Sequence, residues 1–187
     1  MIFDEITADG RLWATRYDGM QDNILFDTFH NWLDIDWLGN FFAEHAADLW
    51  KYFNIIDLNK AIFDTFSDAV RLQSIILDLS PDADLDALFK PLNNSRTAEM
   101  LLGKEKAKGF RKADHPSWLR LYAIKLEPQA YLITGGAIKL THTMNERQHT
   151  LNELQKLEQV RNFLIENGVV DLEGMIDYKN ESDGKGN

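Results

Sequence analysis

The residues best suited to handling an anion are spread over the second half of the chain. They are Arg120, Lys139, His142 and Arg147, with the basic run Lys104, Lys106, Lys108, Arg111 and Lys112 ahead of them. Histidine can exchange a proton near neutral pH. Arginine presents a planar fork of donors that fits a carboxylate or a phosphate. Within WLRLYAIKL (118–126), strand alternation puts Trp118, Arg120, Tyr122, Ile124 and Leu126 on one face,. Arg120 is thus a cation amid aromatic neighbours, and it either pairs with one of the many carboxylates or waits for an anionic ligand. Along 137–144 the same alternation groups Ile138, Leu140, His142 and Met144, which places His142 on the core side at a strand tip,. Lys139 falls on the opposite face beside Thr141 and Thr143, either as a solubilising residue or as part of a site.

Other chemistries find less support. The histidines (30, 45, 115, 142 and 149) show no HxxxH or HxH spacing, which argues against a metal site,. There is no GxSxG, GxGxxG or GxxxxGK[ST],. TGGAIK leads into a strand rather than a helix, so it is not a phosphate loop. Asp34/Asp36 and Asp82/Asp84/Asp86 fall at helix starts, where capping and the helix dipole account for them,. With no cysteine, disulfides and thiolate nucleophiles are excluded and a reducing compartment is weakly favoured,. No cofactor is implied.

The elements that must position these residues are legible from periodicity. RLWATRYD (11–18) reads as the first strand, and 24–90 as an acidic helical section. In that section Phe26, Phe29 and Leu33, then Trp37, Phe41, Phe42, Ala46 and Leu49, then Ala61 through Ile76 form apolar stripes,. Asp34 or Asp36 and then Asp57 are the expected N-caps, and Ser80-Pro81 the stop. A basic helix is expected over 95–113 from Ser95, and a three-stranded antiparallel meander over 118–144. Glu127-Pro128-Gln129 joins its first two strands and Gly135-Gly136 turns the second hairpin,. Thr150 and Glu153 form a capping box for a C-terminal helix over 150–167, with Gly168 as its C′ residue,. Residues 179–187 read as a flexible tail. The sum is one α+β domain over 1–178, with helices on one face of a small antiparallel sheet.

Charge is uneven along the 187 residues. The net is −10, but residues 1–89 carry 5 Lys+Arg against 17 Asp+Glu, whereas 90–125 carry 9 against 3. An acidic half preceding a basic centre points to a polyanion or an acidic partner. The acidic N-terminus is unlike a signal peptide and no apolar run reaches the roughly 20 residues of a spanning helix, so a cytoplasmic protein is expected,.

FKPLNN (89–94), WLRLYAIKL, YLITGGAIKLTHTM, NERQHT and NELQKLEQVR together resemble the RelE/HigB-like toxin superfamily over about 89–164. The hairpin also resembles that of small bacterial proteins with a TGGAIKLT-type sequence. The resemblance implies a RelE-like sheet enlarged by the helical section, and ribosome-dependent mRNA cleavage held in check by an antitoxin, a helix-turn-helix protein being one form of it. Cleavage of that kind uses the ribose 2′-hydroxyl as nucleophile and no metal. By position, Arg120 would stabilise phosphate, His142 would act as general acid or base, and Arg147 would hold the basic position after the last strand. Lys139, Lys104, Lys106, Lys108, Arg111 and Lys112 would grip RNA. Glu146 stands where the family commonly has a second basic residue. The alternative on the same fold is a non-catalytic module that binds an acidic partner segment.

Overall fold

Short polar side chains start the helices of the N-terminal half. In the computed structural model, which describes residues 1–92, 102–109 and 115–184, Asn23 accepts from the N–H of Leu25 and Phe26 and opens α1 (Ile24–Trp32). Asp34 accepts from Asp36 and Trp37 and opens α2 (Ile35–Glu44). After α3 (Ala46–Phe53), Asp57 does the same for α4 (Leu58–Leu77). Each cap satisfies donors that a first helical turn leaves unpaired.

The sheet is larger than the expected meander. Among the described residues it has six strands: β1 (Ile2–Glu5), β2 (Leu12–Arg16), β3 (Phe89–Pro91), β4 (Gly103–Lys108), β5 (Leu119–Glu127) and β6 (Ala130–Ile138). A single-turn helix, α5 (Leu85–Leu88), runs straight into β3. The order is β1-β2-β6-β5-β4-β3, antiparallel throughout except that β2 and β6 run parallel. After β6 come α6 (Gln148–Glu166) and α7 (Leu172–Gly184). The fold class is α+β, as expected. The helices, however, cover both faces of the sheet. Leu12, Ala14, Leu121, Ala123 and Ile133 pack under α1–α4 with Phe29, Trp32, Phe42 and Leu72. Trp13, Tyr122, Ile124 and Leu132 pack on the other face under Leu157, Val160 and Leu164 of α6.

Gly135-Gly136 does not turn a hairpin. Both lie inside β6, which runs unbroken from Ala130 to Ile138. The one tight turn of this region is at Pro128-Gln129, with Gln129 at φ 66°. The glycines are there because two helices press on the strand from opposite sides. A Cβ at 135 would stand 1.8 Å from Oε2 of Glu153 on α6, and one at 136 would stand 2.6 Å from Cγ2 of Thr28 on α1. A register shift beside them leaves Thr134 as an extra residue opposite Tyr122 and Ala123,.

The basic segment is also different. Over 103–108 it is strand β4 and not the middle of a helix; Ser95, Arg111 and Lys112 lie outside the described residues. The capping box forms at Thr143 and Glu146 around a short 3-10 turn (Met144–Glu146), because α6 already begins at Gln148. Thr150 and Glu153 are therefore interior to α6, and the Thr150 hydroxyl donates to the carbonyls of Met144 and Arg147. Gly168 ends the helix at φ 73° as expected,. Residues 179–184 belong to α7 rather than to a tail. No helix among the described residues is long and apolar enough to cross a membrane.

Candidate functional site

KEKAK (104–108) alternates, and on a strand that alternation decides where the charges go. Glu105 and Ala107 turn to one face; Lys104, Lys106 and Lys108 turn to the other, spaced roughly 6.7 Å apart along β4,. Their cross-strand partners on β5 are Ile124, Tyr122 and Arg120 respectively. α6 runs over β6 and the adjoining part of β5, so the β4 side of this face stays open. The result is a cleft of about 750 Å³ lined by Lys104, Lys106, Lys108, Arg120, Lys139 and His142, with Tyr122 in its floor. The turn at Thr143–Asn145 and Leu154 of α6 form a wall. No carboxylate is among its described lining residues.

The cations are held by backbone more than by acids. Arg120 Nη1 donates to the carbonyls of Ser117 and Leu119 at 2.7 and 2.6 Å, and its Nε and Nη2 have no partner among the described residues. Lys106 Nζ donates to the Leu92 carbonyl, 2.6 Å. Lys139 Nζ donates to the carbonyls of Thr141 and His142, 2.6 and 2.7 Å. Lys104 is tied to a carboxylate, Glu158 of α6. Crowding tells on the amines. Burial, then the charges of Lys108, Arg120 and Lys139, bring Lys106 down to about 8. Lys139 is lowered too, first by burial and then by Arg120.

His142 is exposed at the rim of this cleft and not on the core side. The strand ends at Ile138, so alternation does not extend to residue 142. Its ring meets Tyr52 of α3 edge-on, 4.8 Å between centroids. Tyr52 also donates to Glu146 Oε2 at 2.9 Å. With the Thr143 N–H and hydroxyl, that bond pulls the Glu146 carboxyl down to about 2 and turns its charge into the loop.

Arg147 does not join the cleft. Its Nε and Nη2 form a fork onto Asp48 of α3, a buried carboxylate, and raise the already high affinity of the guanidinium for its proton. It lies in a separate groove with His45 and His149, whose rings are 4.8 Å apart, while His149 Nε2 contacts the Ile138 carbonyl at 2.9 Å. Arg111 and Lys112 are outside the described residues.

Two points beside the cleft are hidden from residue spacing. Parity puts Tyr122 on the face of Arg120, but does not show that its buried hydroxyl lacks a hydrogen-bond partner among the described residues. Tyr52 lies 90 residues from His142 in sequence, and nothing local announces their contact. Chemically the cleft brings together an arginine fork with donors to spare, the Lys106 amine lowered to about 8 and an accessible imidazole around one open space. No protein family, curated protein or solved structure matches this chain, so the reading of the cleft rests on its own geometry.

Proposed function

We propose that the chain grips the phosphodiester backbone of RNA in this cleft and cleaves it without a metal, as the toxin of a RelE/HigB-like toxin–antitoxin pair. The observation that supports this best is the convergence of Lys104, Lys106, Lys108, Arg120 and Lys139 on one cleft with no carboxylate in its described lining. In such a reaction the ribose 2′-oxygen attacks the adjacent phosphorus. A base takes the 2′-proton, an acid gives one to the departing 5′-oxygen, and a 2′,3′-cyclic phosphate remains. His142 at the rim is the base in this reading. Lys106, at about 8, is the acid. Arg120 directs its two unused donor groups at the non-bridging oxygens, where charge grows,. Lys104, Lys108 and Lys139 hold flanking phosphates. Arg147 takes no part, since Asp48 already neutralises it.

Induced expression of the chain in a host without a cognate antitoxin should arrest translation, and Arg120→Ala or His142→Ala should relieve the arrest. Single-stranded RNA should bind with an affinity that falls with salt by about 0.7 log units per log unit for each phosphate contacted. Harmless expression of the wild-type chain, together with an acidic peptide retained in the cleft in place of RNA, would overturn the reading in favour of a non-catalytic binding module.

A further inference from the structure

The outer face of α4 points to a second copy of this chain. Helix α4 buries Ala61, Thr65, Ala69, Leu72 and Ile76 beneath it, as an amphipathic helix should,. Its outward side is mixed: Asn59, Lys60, Arg71 and Ser74 are exposed there, and an apolar line runs among them. Phe63, Val70 and Leu77 are 69 %, 45 % and 47 % exposed. They are spaced seven residues apart, so they form one straight seam along a helix of 20 residues, roughly 30 Å long,. Large side chains left in water along a continuous line mark an interaction surface more than scattered exposure does.

We propose that α4 pairs antiparallel with α4 of a second molecule across a two-fold axis that passes beside Val70. Two features select this occupant. The seam is symmetric about Val70, so an antiparallel copy sets Phe63 against Leu77 twice and Val70 against itself, which is the self-complementarity an isologous dimer requires. The ends of the helix also complement each other. The last turn of α4 has no basic residue, and Asp78 caps it, an acid at the negative end of the helix dipole,. Antiparallel pairing brings the positive end of the partner helix dipole beside Asp78, whereas Lys60 stays with Asp64 of its own helix at 2.7 Å,. It does so at both ends of the seam. α4 covers the sheet face opposite the basic cleft, so both clefts of the dimer remain open. The inference is independent of what the cleft binds.

The chain has no cysteine, which makes a register test simple. At tens of micromolar, light scattering should return twice the 21.6 kDa mass of one chain, and Val70→Asp should return a single mass with unchanged helical circular dichroism. Under mild oxidation Val70→Cys should form a covalent dimer, because residue 70 meets its own copy. Phe63→Cys alone should not, whereas the Phe63→Cys/Leu77→Cys double variant should. A monomeric wild-type chain would overturn the proposal. Equal crosslinking of the Val70→Cys and Phe63→Cys single variants would also overturn it, since that is the signature of parallel pairing.

Discussion

Arg120 stands near the start of β5 and Arg147 just ahead of α6, and the fold treats the two arginines oppositely. Arg147 lays its fork on Asp48, and the pair fastens the start of α6 to α3. Arg120 is anchored by carbonyls through one nitrogen and keeps the rest of its fork toward an open cleft with four lysines. A guanidinium that already has its carboxylate contributes to holding the protein together. One that is set among like charges and keeps donors in reserve is, in the reading proposed above, held for an anionic ligand. The difference separates structural cation from binding cation without reference to sequence position.

The most severe way to break this contrast is to unseat α6, which borders both regions. Gly135→Ala places a methyl carbon 1.8 Å from Glu153 Oε2. The side chain of Glu153 is buried and its other oxygen holds Lys156 at 2.7 Å, so it has little room to withdraw. Overpacking of this kind costs roughly 1–3 kcal/mol, and chemical denaturation should read it as a lower midpoint with unchanged slope. A loss well under 1 kcal/mol would count against close packing as the reason for the glycine.

Next in size is the exchange of roles between the two arginines. Arg120→Ala should weaken single-stranded RNA binding by about 10- to 100-fold, the worth of a charge-assisted contact of roughly 1.5–3 kcal/mol. Its melting temperature should stay near that of the wild type, since no described carboxylate loses a partner. Arg147→Ala should do the reverse. Asp48 is left buried with a charge that, among the described residues, His45 Nδ1 approaches at 4.0 Å, so the melting temperature drops by several degrees while RNA affinity is unchanged. If both variants lost binding equally at equal stability, the distinction would fail.

Residue spacing exposed much of this and concealed a definable remainder. The cap at Asp57, one of the two candidates Asp34 and Asp36, helices α1 and α4 and the position of Gly168 follow from side chains acting within one or two turns of themselves; the break at His45 that divides α2 from α3 carries no side-chain cap and is not legible in the spacing. The facing of Arg120 is legible, because WLRLYAIKL is strand along nearly all its length. The errors share a cause, which is that distant packing overrode a local signal. Gly-Gly is compatible with a turn or with close approach, and only the arrival of Glu153 and Thr28 decides between them. Lys-Glu-Lys-Ala-Lys has the composition of a helix and the alternation of a strand; pairing with β5 and β3 selects the strand. The alternation that places His142 on the core side stops applying at Ile138, where the chain leaves the sheet. β1 and α7 contain few strongly patterned residues and form by packing on β2 and, through Met175, beneath the second core. Thus the cleft was legible as a list of cations, but the separation of Arg147 from that list depended on Asp48, a residue 99 positions away.

The smallest expected effect is on pH dependence, and it sharpens the comparison to a single amine. Lys106 in the folded chain falls to about 8 from an ordinary 10.5, chiefly through burial and then through the neighbouring cations. A group whose proton affinity is reduced by folding leaves the folded state with fewer protons than the unfolded chain between those two values. In the absence of ligand, stability therefore rises with pH across the window from about 8 to 10.5,. A bound phosphodiester has the opposite preference, because it stabilises the ammonium and disfavours the neutral amine. Affinity for RNA should accordingly be full below pH 8 and decline as the pH passes above it. Lys106→Met should bind more weakly at pH 7 and show a flattened profile between 7 and 9. Lys51 is a suitable control: it lies on α3 with its amine 4.8 Å from the Tyr52 ring and outside the cleft, so Lys51→Met should leave the profile as it is. An unchanged profile in Lys106→Met would mean that the cleft does not hold the phosphate through this amine, and that the crowding of charge there has another partner.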